Sequence, residues 1–166
     1  MSRKKPWNLV SLPVYSISSK NADGNTNMNI ITYANAVSMQ PKQFVCAIYH
    51  NTQTLFNVQL NAHFVLQILA EQQYRLIDLL GKKSGKQINK AERLHKRNLL
   101  MEWKGFEVLK DCVAVMEMKV QPLQIQAGQA LPDHQLYLCD VISYKNLNES
   151  KPLTLDILRN KKLIRI

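Results

Sequence analysis

Residues 12 to 57 read LPVYSISSKNADGNTNMNIITYANAVSMQPKQFVCAIYHNTQTLFN, and this stretch decides the fold. Apolar and polar residues alternate over Val14 to Ser19, and Thr26 to Tyr33 continues in the same extended, β-branched style. Asp23-Gly24, between the two segments, is a strong turn signal because glycine tolerates the positive φ of tight hairpin turns. The two segments are therefore predicted to form a β-hairpin.

The second half of the stretch predicts a strand followed by a helix. Phe44 to Tyr49 (FVCAIY) is a short apolar run bounded by polar residues, as a buried strand is. Thr52 to Leu60 has helical spacing, and Thr52 or Thr54 is able to cap its first turn. Phe64 to Leu69 predicts one more strand.

The rest of the chain adds short helices and further strands. The patterns predict, in order, a helix over Tyr74 to Leu80 ending at Gly81, a mobile loop in GKKSGKQINK, a partly helical AERLHKRNLLMEW, and strands over Cys112 to Gln121 and Gln135 to Tyr144. Hairpin-linked strands outnumber helices and do not alternate with them. The fold class is therefore predicted as mainly β, an antiparallel barrel that is partly closed, with a few helices.

Length and composition limit the class of protein. The 166 residues carry 22 Lys and Arg against 12 Asp and Glu, a net charge of +10. This length predicts a single domain over residues 1–166, with a short basic N-terminal tail. No apolar stretch is long enough to span a bilayer, and the basic start lacks the apolar run of a signal peptide, so a cytoplasmic location is expected.

Several kinds of site lack their signatures. Neither GxGxxG nor GxxxxGK[ST] occurs in the sequence, which disfavours Rossmann and P-loop readings. Cys46, Cys112 and Cys139 are far apart in apolar runs, which is typical of buried structural thiols. No metal-ligand spacing links the four histidines, so no metal is predicted.

The positive charge is concentrated in one segment. Asn21 to Tyr74 has only three formal charges, whereas Lys82 to Lys110 has nine lysines and arginines against three glutamates. Two interpretations of the basic segment stay open: a solvated helix face, or a basic lid over an anionic ligand.

Taken in order, these elements resemble the flavin reductase-like family, whose FMN-binding split barrel has the same sequence of motifs. The matching elements are Pro13 with Val14, Asp23 with Gly24, Asn27 to Asn35, Val37-Ser38 with Pro41, Phe44 to Tyr49, Thr54 with Asn57, Asn61 to Leu69, and Asp133-His134. The resemblance covers most of residues 7 to 145. It departs from the family pattern at Lys42 and Pro132, where a proline and a glycine are usual.

The resemblance implies an oxidoreductase of the flavin reductase or flavoredoxin type. Its cofactor is expected to be FMN, with FAD as a second possibility. Hydride or electrons are expected from NAD(P)H or from a redox partner, and pass through the flavin to an acceptor. Members of this family are typically dimers, so a homodimer is implied.

A flavin mononucleotide requires a flat apolar slot, hydrogen bonds to its pyrimidine edge and donors for its phosphate. The candidate residues for the ring and its edge are Ile31, Thr32, Tyr33, Ala34, Asn35 and Ser38. Those for the phosphate, at the strand-to-helix junction and in the basic loop, are His50, Asn51, Thr52, Thr54, Ser84, Lys86 and Lys90. Asn27 and Asn57 are further candidates for binding the cofactor. His134 is the candidate for the nicotinamide or substrate side. No catalytic acid or base is predicted, because the flavin carries the chemistry.

Each candidate also has a plainer interpretation. Thr54 is equally explained as a helix cap, and Asn27 and Asn29 as exposed hairpin residues. His50 and His134 are also explained as histidines at strand ends. Tyr33 and Trp103, either of which is able to stack on a ring, are also explained as core aromatics.

Two other functions remain open at this point. A basic barrel that binds single-stranded nucleic acid is disfavoured, because the basic segment contains only Trp103 and Phe106 as stacking aromatics. The other alternative is a flavin-binding protein without reductase turnover.

Overall fold

The computed structural model describes residues 6–124 and 130–164; the basic tail expected before them lies outside the described residues. A seven-stranded antiparallel sheet has the strand order β2-β1-β5-β8-β9-β4-β3, and a separate hairpin pairs β6 with β7. The strands are β1 Tyr15–Lys20, β2 Thr26–Ile31, β3 Ala34–Met39, β4 Lys42–Tyr49, β5 His63–Ile68, β6 Leu100–Trp103, β7 Phe106–Leu109, β8 Ala114–Pro122 and β9 His134–Asn146. The sheet curves without closing, which confirms the prediction of a partly closed, mainly β barrel.

Short helices fill the connections between the strands. The α-helices are α1 Gln53–Asn61, α2 Ile77–Gly81, α3 Lys90–Lys96 and α4 Leu155–Asn160, and 3-10 helices span Pro6–Asn8 and Glu71–Leu76. Each helix in the described part of the chain is too short or too polar to span a lipid bilayer.

The first hairpin forms as its sequence predicts. Tyr15 pairs with Ile31 and Lys20 with Thr26, and Gly24 in the turn has a φ of 80°. Glycine suits this turn because it has no Cβ to clash at positive φ. The hairpin lies at one edge of the sheet, so β2 borders the open side of the barrel.

Two apolar clusters cover the two faces of the sheet. The barrel interior, closed by α1, is centred on the fully buried Ile17, Phe64 and Leu66. The opposite face of β1, β2 and β5 is covered by α2, α3, α4 and the β6–β7 hairpin, around Val65 and Leu94. Since α1 lies in one layer and α2 and α3 in the other, the edge of β2 is where the layers meet.

The structure has elements that the sequence patterns did not predict. The extended segment predicted to run through Tyr33 ends at Ile31, and the chain re-enters the sheet as β3 at its other edge. The β6–β7 hairpin and α4 were also not predicted. Lys90, predicted to lie in a loop, is the first residue of α3, where Asn89 caps the helix by accepting a hydrogen bond from the Glu92 amide at 3.0 Å.

Candidate functional site

A cleft of about 610 Å³ opens where the two layers meet. It is bordered by β2, the end of β4, the start of α1 and the segment that follows α2. The described residues that line it are Asn27, Asn29, Ile30, Ile31, Thr32, Tyr33, Ala47, Tyr49, Asn51, Thr52, Gln53, Thr54, Leu80, Gly81, Lys82, Lys83, Ser84, Gly85, Lys90 and His134.

The start of α1 forms one wall of this cleft. Asn51 takes a left-handed φ of 63°, which turns the chain from β4 into the helix. The Thr52 hydroxyl donates to the Tyr49 carbonyl at 2.9 Å and accepts from the Leu55 amide at 3.1 Å. Thr52 is therefore the cap, and the cap interpretation of Thr54 is wrong because Thr54 lies inside the helix. Free amides and the positive end of the helix dipole at such a position favour an anion.

Thr54 instead joins α1 to β2. Its buried hydroxyl accepts a hydrogen bond from the Asn27 amide nitrogen at 3.0 Å. Asn27 is 8% exposed, so the interpretation of this residue as an exposed hairpin residue is wrong. Asn57 is fully buried and donates to the Ser19 hydroxyl at 3.1 Å, which fixes α1 on β1; it does not line the cleft.

The first residues of the basic segment, which follow α2, form the facing wall. Lys82, Lys83, Ser84 and Gly85 line the cleft, whereas Lys86 does not. Lys82 forms an ion pair with Asp78 at 2.6 Å, and the Ser84 hydroxyl accepts from the Lys86 amide at 3.2 Å. The segment thus presents cations at the cleft without enclosing it.

Lys90 lies deeper in the same wall. Its ammonium donates to the Leu80 carbonyl at 2.7 Å, and burial lowers the pKa of Lys90 to about 8. No Asp or Glu lines the cleft within the described residues, although three lysines do. The cleft is therefore electrostatically suited to an anionic ligand.

The mouth of the cleft is aromatic. His134 pairs in register with Tyr49, and its ring centroid lies 5.2 Å from that of Tyr49 and 5.3 Å from that of Tyr33. His134 Nδ1 donates to the Asp133 carboxylate at 2.6 Å, and this bond lowers the pKa of Asp133. The His50 amide donates to the Asp133 carbonyl at 3.0 Å, but the His50 side chain does not line the cleft.

Three other candidates lie on β3, away from the cleft. Ala34 packs against the barrel interior, and the exposed Asn35 donates to the Ala36 carbonyl at 3.1 Å. Ser38 lies farther along the same strand. They are separated from Ile31 because the chain leaves β2 there, and only Thr32 and Tyr33 of the connection reach the cleft.

Sequence reasoning missed several residues of the cleft. Tyr49 and Ala47 are two residues apart on β4, so their side chains lie on the same face of the strand. Their alternation with the buried Ile48 is the sequence pattern from which this shared face could have been predicted. Lys82 and Lys83 were visible only as part of the basic cluster. Trp103 packs against the apolar cluster under α3, so it does not stack in the cleft.

The fold defines a class of protein, the split barrels, with an open cleft beside the edge strand β2. A family model described as flavin reductase like domain matches residues 7–161. The chain therefore belongs to the flavin reductase-like family, and it is an oxidoreductase of the flavin reductase type. No curated protein matches the sequence.

Solved structures have the same fold. An FMN-binding protein from Thermus thermophilus with bound 1-cyclohex-2-enone is similar with a TM-score of 0.70 at 16% identity, covering 88% of this chain and 78% of that one. The flavin reductase PheA2 gives a TM-score of 0.68 at 22% identity, with coverages of 87% and 85%. The NADH:FAD oxidoreductase SgcE6 of Streptomyces globisporus gives 0.72 at 11% identity, with coverages of 87% and 81%. At these identities the likeness establishes the fold alone.

Proposed function

We propose that the cleft binds FMN and that the protein passes hydride or electrons from NAD(P)H, or from a redox partner, through this flavin to an acceptor. The observation that carries the proposal is the cleft itself, in which a capped helix start faces three lysines and, among the residues that the structure describes, no carboxylate. It also has apolar wall residues, among them Ile31 and Leu80, that suit a flat ring. The FMN-binding protein and the NADH:FAD oxidoreductase of the same fold support this choice of cofactor and donor, with FAD as the second candidate.

The residues divide into three functions. Ile31, Thr32 and Tyr33, at the end of β2, hold the ring and its pyrimidine edge. Thr52 orders the first turn of α1, whose backbone N–H groups donate hydrogen bonds to an anion, and Ser84 and the lysines complete the phosphate site. The bound flavin supplies the hydride and electron chemistry; the protein orients it and limits the access of water.

His134 lies at the mouth, where a second planar molecule would approach the ring. Its imidazole is held by Asp133 on one side and by two tyrosine rings on the other. A side chain fixed from several directions is suited to positioning a substrate. We assign it the nicotinamide or substrate side of the cleft.

A homodimer is part of the proposal. The strands β3 and β9, which lie on either side of β4, expose four large apolar side chains: Val37, Met39, Ile142 and Tyr144. Exposed apolar side chains of this size on neighbouring strands are typical of a protein interface. Sedimentation of the purified protein tests the dimer, and a change of Val37 and Met39 to Lys is expected to give monomers.

We further propose that residues 1–166 form one domain and act in the cytoplasm.

Two measurements test the function. The purified protein is expected to show the visible spectrum of bound flavin, or to quench flavin fluorescence when titrated with FMN. A steady-state rate of NADH or NADPH oxidation then separates a reductase from a flavin-binding protein without turnover. Colourless protein that leaves FMN fluorescence unchanged would refute the flavin site.

A further inference from the structure

Asn29 is a polar residue of the cleft whose hydrogen bonds are incomplete. It lies on β2 and is partly buried. Its amide oxygen accepts a hydrogen bond from the Ile17 backbone N–H at 3.3 Å, and the oxygen is assigned to that side because a backbone N–H only donates. The amide nitrogen has two N–H donors, and neither has a partner within residues 6–124 and 130–164. Because Asn29 lines the cleft, these donors are available to a ligand there.

The position of Asn29 along β2 determines which part of a ligand it contacts. Side chains two residues apart lie on the same face of a strand, so Asn27, Asn29 and Ile31 form one row along the cleft. At one end of the row, Asn27 donates to Thr54 in the first turn of α1, the wall that suits an anion. At the other end, Ile31 leads to Tyr33 and the aromatic mouth. At about 3.3 Å per residue, Asn29 lies about 7 Å along the strand from either neighbour in the row.

The middle of this row is where the chain of a flavin would lie. A flavin with its phosphate at α1 and its ring at Ile31 has its ribityl chain between the two. The chain carries hydroxyl groups, whose oxygens accept hydrogen bonds from N–H donors. A ligand that covers a polar group without bonding it loses free energy, so a site with donors in this place discriminates against an analogue that lacks the hydroxyls.

We propose that Asn29 recognises the ribityl chain, so that the cleft selects flavins with this chain over the bare ring system. The inference rests on the proposed flavin site and adds to it a residue that determines specificity independently of the phosphate. Asn27 is less suited to this role, because its amide already donates to Thr54 and the residue is only 8% exposed.

The test is a titration of the whole protein with riboflavin and with lumiflavin, read by quenching of flavin fluorescence. Riboflavin has the ribityl chain without the phosphate, and lumiflavin has a methyl group in place of the chain. The ratio of the two affinities therefore separates the chain from the ring and from the phosphate. A third titration with FMN restores the phosphate.

Two variants remove the amide donors. Asn29→Leu keeps the approximate size of the side chain, and Asn29→Ala removes the amide without adding an apolar group that could itself contact the ligand. The matched control is Asn25→Leu, because Asn25 is an exposed asparagine of the same hairpin that does not line this cleft. Circular dichroism verifies that each variant is folded.

The wild type is expected to bind riboflavin more tightly than lumiflavin. Both variants of Asn29 are expected to lower this ratio by about three- to tenfold, the effect of losing a neutral hydrogen bond, while lumiflavin affinity changes by less than about twofold. FMN affinity is expected to fall by the same factor as riboflavin affinity, because the contacts of the phosphate are separate. Asn25→Leu is expected to match the wild type with all three ligands.

The failures are distinguishable. Binding of no flavin would overturn the proposed function and this inference with it. A wild type that binds lumiflavin as tightly as riboflavin, or folded variants of Asn29 that keep the wild-type affinity for riboflavin or FMN, would overturn the inference alone. Equal losses of riboflavin and lumiflavin affinity would also overturn it, because Asn29 would then contact the ring.

Discussion

A β-carbon added at Gly85 would lie 2.1 Å from Oδ1 of Asn27, so no side chain fits at Gly85 unless Asn27 or the backbone moves. Asn27 is not free to move, because its amide donates to Thr54. The same added carbon would lie 3.2 Å from Cβ of Gln53. Gly85 thus holds the basic segment against both β2 and the start of α1, and the two walls of the cleft are positioned by this contact.

Gly85→Ala is expected to displace the basic segment and to lower FMN affinity by about tenfold, because the lysines and the α1 amides no longer face each other at the right separation. Fluorescence titration measures the change. Gly81→Ala is the control, since a carbon added there would lie 3.4 Å from Ile30 Cγ1, an ordinary contact. Equal losses in the two variants would contradict this role of Gly85.

The Gly85 contact also shows where sequence reasoning stops. The first hairpin was predictable because Asp23-Gly24 and the alternation around it are local signals. The break before β3 was not, since Thr32 and Tyr33 include no glycine or proline and the extended pattern continues through them. The cleft joins residues distant in the chain, and the need for glycine at Gly85 comes only from the approach of Asn27 in the folded protein.

Several residues of the cleft were predictable because they lie close together in the sequence. The polar run after β4 gave Asn51, Thr52 and Thr54, because a strand that turns into a helix leaves amides and hydroxyls together. The burial of Lys90 was not predictable. It lies in a stretch rich in lysine and other polar residues, and only the packing of α2 and α3 on β2 encloses it.

The bond between Asn27 and Thr54 is expected to contribute to stability. Thr54→Val keeps the shape of the side chain but leaves a buried amide without its acceptor. We expect a loss of about 1 to 3 kcal/mol in the free energy of unfolding, measured by urea denaturation. Thr32→Val, at a partly exposed position that makes no such bond in the described residues, is expected to change stability by less than about 0.5 kcal/mol. A Thr54→Val protein as stable as the wild type would show that the bond is replaced by water.

The cysteines are expected to be unreactive in the folded protein. Cys46 lies opposite Tyr137 and Cys139 opposite Phe44, so the two thiols are diagonal neighbours inside the barrel. A hydrogen bond with Cys139 and burial raise the pKa of Cys46, and burial raises that of Cys112 to about 12. Few thiolates therefore form, and diagonal positions about 7–8 Å apart are unfavourable for a disulfide.

Labelling with a thiol reagent near neutral pH checks this expectation. Native protein is expected to react very slowly, and protein unfolded in denaturant is expected to release all three thiols. Rapid labelling of native protein, or fewer than three thiols after unfolding without reductant, would contradict it.

His134 is expected to affect turnover more than flavin binding. His134→Phe keeps a ring between Tyr33 and Tyr49 but removes the bond to Asp133. We expect kcat/KM for NAD(P)H to fall by roughly tenfold, while FMN affinity changes by less than about twofold. His95→Phe, on the exposed side of α3, is the matched control. An equal loss of flavin affinity would place His134 in the flavin site itself.

The buried charge of Lys90 also determines how stability depends on pH in the absence of flavin. Burial lowers the pKa of Lys90 from 10.5 to about 8, so between these values the unfolded chain binds more protons than the folded one. Stability therefore rises with pH across this interval.

Lys90→Met removes the charge and, with it, the bond to the Leu80 carbonyl. We expect the variant to be more stable than the wild type by roughly 1 kcal/mol near pH 7, where the lysine is charged, and less stable by roughly 1 kcal/mol near pH 10, where only the bond is lost. Urea denaturation at several pH values locates the crossing, and Arg93→Met should differ from the wild type by the same amount at every pH. Parallel curves for Lys90→Met and the wild type would mean that the ammonium is solvated in the folded protein.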